Sequence, residues 1–146
     1  MIEEMMQFYN SGTTKRNGDF ESIKKKRVTT LAYVGDAIYE VFVRVRLASG
    51  GELSTDRLSR AGVRYVRASA QARAMRALLE GLPEEDKTLV LRARNHRPRS
   101  VPKNADPVEY RWATAFEALI GALYLSGRET EMEELIAKAI RVIDEE

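Results

Sequence analysis

The chain has 146 residues, 44% of them apolar and 32% charged, and no cysteine. That is enough for one domain with its own core, and it excludes disulfides and thiolate metal sites. No run approaches the roughly 18 to 20 apolar residues needed to cross a bilayer, and the opening Met-Ile-Glu-Glu lacks the basic and apolar regions of a signal peptide, so the expectation is a cytoplasmic protein with no membrane partner.

The formal net charge is only +2, but Lys and Arg crowd into Lys24 to Arg27, Arg57 to Arg76 and Arg92 to Lys103. Acids gather at Glu84 to Asp86 and from Glu129 onward. A near-neutral sum hides a strongly basic middle, and for a nucleic-acid partner it is the distribution that matters.

Residues 1–27 read as an N-terminal extension. It opens on a short patch (Met5, Met6, Phe8, Tyr9) and continues through a Gly-, Ser-, Thr- and Asn-rich stretch, Ser11 to Asp19, with the composition of a flexible linker. Residues 28–146 read as one domain. Thr29-Thr30 can cap a helix whose apolar stripe is Leu31, Val34, Ile38, Val41 and Val45, ending at about Leu47 before Ser49-Gly50-Gly51. Ser54-Thr55-Asp56 restarts a helix that Gly62 interrupts or bends, and an Ala-rich run continues to Glu80 with Gly81 closing it. Pro83 and the acids after it open a helix to about Arg94. Asn95 to Asp106, with two prolines, is a loop. Pro107 or Val108 opens a helix to Leu125, and the last helix, about Thr130 to Asp144, carries Met132, Leu135, Ile136, Ala139, Ile140 and Ile143 on one side. No segment alternates with a period of two, so the expected fold is all-α.

Three features bear on chemistry. In Leu31-Ala32-Tyr33-Val34-Gly35-Asp36-Ala37-Ile38-Tyr39-Glu40, Asp36 and Glu40 stand one turn apart on one helical face. Gly35 costs about 1 kcal/mol against Ala there, but permits close approach of a helix or a substrate. The pair is either a solvated acidic face or part of a cation site. In Thr114-Ala115-Phe116-Glu117-Ala118-Leu119-Ile120-Gly121, Glu117 is the only acid between Glu109 and Glu129. A carboxylate in so apolar a helix must be paired or bind a cation. Arg111 could pair with it, or Glu117 could meet Asp36 and offer two hard oxygen ligands to Mg²⁺. Third, Arg57, Arg60, Arg64, Arg67 and Gln71 follow helical steps, and Arg92 to Lys103 forms a second basic cluster with Asn95, His96 and Asn104. Both suit phosphate and sugar contacts, or serve only to solvate the surface. His96 is the sole histidine, which argues against a zinc site.

Together these segments resemble the ribonuclease III catalytic domain. Leu31 through Glu40 match its signature helix, and Phe116 through Ala122 match its Phe-Glu-Ala-Leu-Ile-Gly-Ala segment almost letter for letter. The resemblance covers about residues 28 to 143. The departures resemble the Mini-ribonuclease III branch of that family: Ala32 and Thr114 stand where the larger relatives carry Glu and Asp, and no double-stranded-RNA-binding domain is expected after the last helix. The basic loop leading into Tyr110-Arg111 also suits that branch.

The resemblance implies a ribonuclease III-like helical bundle that forms a two-fold homodimer, with Tyr33 and Ile38 as interface candidates. It implies a metal-dependent endoribonuclease cutting double-stranded RNA, in maturation of large-subunit (23S) ribosomal RNA precursor. Asp36 and Glu117 would be the metal carboxylates for Mg²⁺ or Mn²⁺, and Glu40 a helper holding a metal-bound water. Arg57, Arg60, Arg64, Arg67, Arg94, Asn95, His96, Lys103, Asn104 and Arg111 would contact RNA. With two family carboxylates missing, a catalytically weakened RNA-binding helical domain is the alternative.

Overall fold

The structure is a computed structural model and describes residues 18–51 and 54–146. Its helices are α1 (Phe20–Ile23), α2 (Val28–Ala48), α3 (Thr55–Val66), α4 (Ala68–Leu78), α5 (Glu84–Asn95), α6 (Pro107–Leu125) and α7 (Glu129–Asp144), with a 3₁₀ turn at Leu79–Gly81 after α4. No strand occurs among the described residues. The expected patch and linker of the extension lie, up to residue 17, outside them. From Asp19 onward the extension joins the domain: Asp19 caps α1 by accepting from Ser22 N, and Phe20 and Ile23 are buried in the core.

The helix starts follow local chemistry. Asp106 accepts from the backbone N–H groups of Val108 and Glu109, and Pro107 occupies the first turn of α6, where its missing N–H costs nothing. Glu84, Glu85 and Asp86 open α5, and Arg92 and Arg94 close it, as the helix dipole favours. Two expectations are corrected. The helix carrying Asp36 starts at Val28, with Arg27 as cap and no side-chain capping bond, so Thr29 and Thr30 lie inside its first turn. The chain does not break at Gly62, which sits within α3; it breaks at Arg67, whose extended backbone separates α3 from α4.

α6 is apolar on nearly every side and is the central helix, packed by α1, α2, α4, α5 and α7. The predicted stripe of α2 is only partly its buried face. Leu31, Ala32, Gly35, Tyr39 and Val43 are buried, whereas Val41 and Val45 are each 58% exposed. α2 is therefore apolar on two faces, one in the core and one open. α7 buries all six residues expected of it. Asp86, expected only as a dipole partner, is buried and held by both terminal nitrogens of Arg128 at 2.8 Å, while Arg128 lies over the Phe20 ring. That pair ties α1 and α5 to the turn before α7.

Candidate active site

Two glycines set the geometry of the acidic centre. Gly35 of α2 and Gly121 of α6 meet backbone to backbone: a Cβ on Gly35 would sit 1.7 Å from the Glu117 carbonyl oxygen, and one on Gly121 would sit 2.0 Å from the Leu31 carbonyl oxygen. Any side chain at either position would push the helices apart. With none, Asp36 and Glu117 project from the crossing close enough to share a hydrogen bond. The close approach that Gly35 permits is thus to a neighbouring helix. An edge-to-face contact between Tyr39 and Phe116, centroids 5.0 Å apart, braces the same crossing.

Asp36 is exposed and Glu117 half-buried. Burial pushes the Glu117 carboxyl up to about 8, the hydrogen bond and charge of Asp36 add to the rise, and a hydrogen bond from Gln71 opposes it. A neighbouring carboxylate disfavours the charged form, as like charges do. Among the described residues Glu117 has no Arg or Lys ion-pair partner, Arg111 included. The side chain that does reach it is Gln71, whose Nε2 donates to Glu117 Oε2 at 3.5 Å and to the Val66 carbonyl at 2.9 Å. Gln71, read from sequence only as the end of an arginine stripe, is buried. Its contact with Glu117 depends on the break at Arg67, which periodicity did not reveal.

Glu40 is not gathered into the pair. It accepts from Arg44 Nε at 3.1 Å, one turn further along α2. Where the larger relatives carry acids, Ala32 is buried and the Thr114 hydroxyl donates to the Tyr110 carbonyl at 2.9 Å. The described residues hold no group of three or more His, Cys, Asp or Glu side chains that could share a metal. Two hard carboxylates that repel each other, one of them exposed, fit a Mg²⁺-type cation completed by water and phosphate, and do not fit zinc.

The basic residues divide into two settings. Near the start of α2, a groove is lined by Lys26, Arg27, Arg92, Asn95, His96, Arg97, Arg99 and Tyr110. Of these, Lys26 and Arg27 were read from sequence only as part of a basic run, whereas Arg92, Arg97 and Arg99 belong to the cluster read as suited to phosphate and sugar contacts. Arg94 lies over the Trp112 ring at 5.1 Å, with Arg76 at 5.6 Å, and Arg94 donates to Asn95 Oδ1 at 3.1 Å. Lys103 and Asn104 are exposed on the following loop, and Arg111 is half-buried on α6. The second setting is α3. Arg57 and Arg60 are exposed, and Arg60 donates to the Asp56 carbonyl. Arg64 donates to the Ile143 and Asp144 carbonyls at the end of α7, and Arg67 pairs with Glu146 at 3.5 Å. Those two arginines serve the end of α7, whatever else they touch. On α2, Tyr33 is 82% exposed, while Ile38 is half-buried against the core.

Comparisons with known proteins give the family. A model of the Ribonuclease III domain matches residues 29–128. A Mini-ribonuclease 3 of Symbiobacterium thermophilum is 44% identical over 79% of this chain and 88% of its own length. One of Brevibacillus brevis is 46% identical over 80% of this chain and 87% of its own. A crystal structure of a Fusobacterium nucleatum protein superposes with a TM-score of 0.73 at 32% identity, over 80% of this chain and 93% of that one. The helical fold, the paired carboxylates at the glycine crossing and these relatives lead to one conclusion: the chain belongs to the Mini-ribonuclease 3 family and is an endoribonuclease of the ribonuclease III type.

Proposed function

We propose that the chain cuts double-stranded RNA, that it requires a divalent cation, Mg²⁺ with Mn²⁺ as a substitute, and that it works as a two-fold homodimer in the cytoplasm. We further propose that its natural substrate is the precursor of large-subunit (23S) ribosomal RNA, and that residues 28–146, with α1 packed into their core, form the catalytic unit. The observation that carries the reading is the Asp36–Glu117 pair: two carboxylates brought together by a glycine crossing, with no described cationic side chain between them.

Asp36 and Glu117 would hold the cation. Bound there, a divalent ion supplies an activated water and neutralises charge on the phosphate. Exposed Asp36 lies open to an approaching backbone, and half-buried Glu117 is the ligand fixed by the protein. Glu40, held by Arg44, would act only through water. Arg94, Asn95, His96, Lys103, Asn104 and Arg111, with the groove arginines Arg92, Arg97 and Arg99, offer donors for phosphates and 2′-hydroxyls, which suits an A-form duplex read by shape. Arg57 and Arg60 extend that basic surface, and Arg64 and Arg67 contribute charge from positions already tied to α7.

Cutting both strands calls for two sites related by symmetry. The open face of α2, with Tyr33, Val41 and Val45 exposed and Ile38 beside them, is the apolar surface available for an isologous interface. The test is cleavage of a plain RNA duplex with Mg²⁺, with and without chelator, beside a precursor transcript. Loss of both activities with chelator supports the reading. Metal-independent cutting, or salt-sensitive binding with no cutting, refutes it.

A further inference from the structure

Gln71 is the third polar side chain at the carboxylate pair. It lies in the first turns of α4 and is 2% exposed. Because Arg67 turns the chain with an extended backbone, the carbonyl of Val66, the last residue of α3, has lost its helical donor. Gln71 Nε2 serves that carbonyl and Glu117 Oε2 together. Two acceptors on one side fix the orientation of the amide, since its oxygen facing them would meet only other oxygens. The cost is visible at the other atom: Gln71 Oε1 is buried with no hydrogen-bond partner. Such a group destabilises a fold; methionine, similar in length and without polar atoms, would remove it but would leave the Val66 carbonyl without the amide donor. Nor could methionine supply the N–H at Glu117.

We infer that Gln71 is a positioning residue for the nuclease reaction, pinning Glu117 Oε2 to the α3–α4 break so that the carboxylate keeps one orientation beside Asp36. A carboxylate on a flexible side chain samples several rotamers. Tethering one oxygen selects among them and leaves the remaining lone pairs for a cation, which is how groups behind a metal ligand usually act. This inference rests on the reading of Glu117 as a metal ligand.

The experiment compares the full chain with Gln71→Met, Gln71→Asn and, as reference, Glu117→Gln. Four quantities are read: kcat and KM on an RNA duplex, Mn²⁺ binding to the RNA-free protein by calorimetry, and Tm. Asn, one methylene shorter, keeps an amide but cannot span both acceptors, so it carries the test if the Met variant fails to fold. Both folded variants should lose kcat by about 10- to 100-fold and bind Mn²⁺ correspondingly more weakly. KM for the duplex should be unchanged and Tm should move by only a few degrees. A folded Gln71 variant with wild-type kcat and Mn²⁺ affinity, beside an inactive Glu117→Gln, overturns the inference and leaves the reading of Glu117 standing. Wild-type kcat in Glu117→Gln overturns both.

Discussion

Replacing Gly35 with alanine should separate helix propensity from site geometry. The added Cβ would sit 1.7 Å from the Glu117 carbonyl oxygen, 2.6 Å from its carbon and 2.9 Å from Gly121 N, all backbone atoms with no rotamer to yield. Raising the shortest approach to the 3.0 Å that real Cβ atoms keep requires α2 and α6 to part by about 1.3 Å. Overpacking of this kind typically costs 1–3 kcal/mol, against roughly 1 kcal/mol gained from alanine in a helix. The expected net loss is up to about 2 kcal/mol, a lower Tm with the domain still folded. The effect on chemistry is larger, because the part of the crossing that moves carries Asp36 and Glu117. A displacement of about 1 Å at reacting groups commonly costs on the order of 100-fold in rate. The assay is single-turnover cleavage of an RNA duplex at saturating enzyme and Mg²⁺, well below the variant's Tm. Activity within threefold of wild type together with a raised Tm would mean that the glycines are not what sets the pair, and the reasoning would be wrong.

Glu117→Gln should change how stability of the metal-free protein depends on pH. The folded-state value of about 8 lies above the ordinary 4.5, so the contribution is complete below about 4.5 and is lost as pH rises through about 8. Thermal melts from pH 5 to 9 in chelator should therefore fall less steeply for the variant, and parallel curves would count against a shared proton. Tyr33→Asp with Val41→Asp should shift the chain from dimer to monomer by sedimentation at micromolar concentration while helicity is kept; an unchanged dimer would place the interface elsewhere. Converting Arg97 and Arg99 to alanine should flatten the salt dependence of duplex affinity by about one to two units. Arg64→Ala should instead lower Tm, since its carbonyl partners are at the end of α7. The reverse pattern would exchange the roles assigned to these arginines.

Much of the fold was legible because periodicity reports burial directly where a helix has one buried face. α7 is the clearest case, and α6 was bounded to within a residue, its start left between Pro107 and Val108 and its end placed at Leu125. Periodicity misled on α2, which is apolar on a core face and an open face, so a single stripe drawn through Leu31, Val34 and Val45 mixed the two. The break at Arg67 escaped because it rests on an extended backbone at an ordinary residue, without Gly or Pro to announce it. Gly62 looked like the breaker and is a helical residue facing the Leu47 side chain. From the residues alone Glu117 could meet either Arg111 or Asp36, and it was the resemblance to ribonuclease III that singled out Asp36. The glycine crossing that brings the two together emerges only from the structure. Gln71 could not be paired from sequence, because its partner lies across the bundle and its orientation depends on the unforeseen break.

The central claim is that Asp36 and Glu117 are a cation site for RNA hydrolysis, and Asp36→Asn tests it most directly. The substitution keeps size on an exposed side chain, so fold and Tm should hold, but it removes a charge that a hard divalent ion needs. On a plain RNA duplex at saturating Mg²⁺, the variant should bind with wild-type affinity and cut at no more than about one-thousandth of the wild-type rate, the scale of roughly 4 kcal/mol of lost transition-state stabilisation. Near-normal turnover in Mg²⁺ by a folded Asp36→Asn protein would contradict the account.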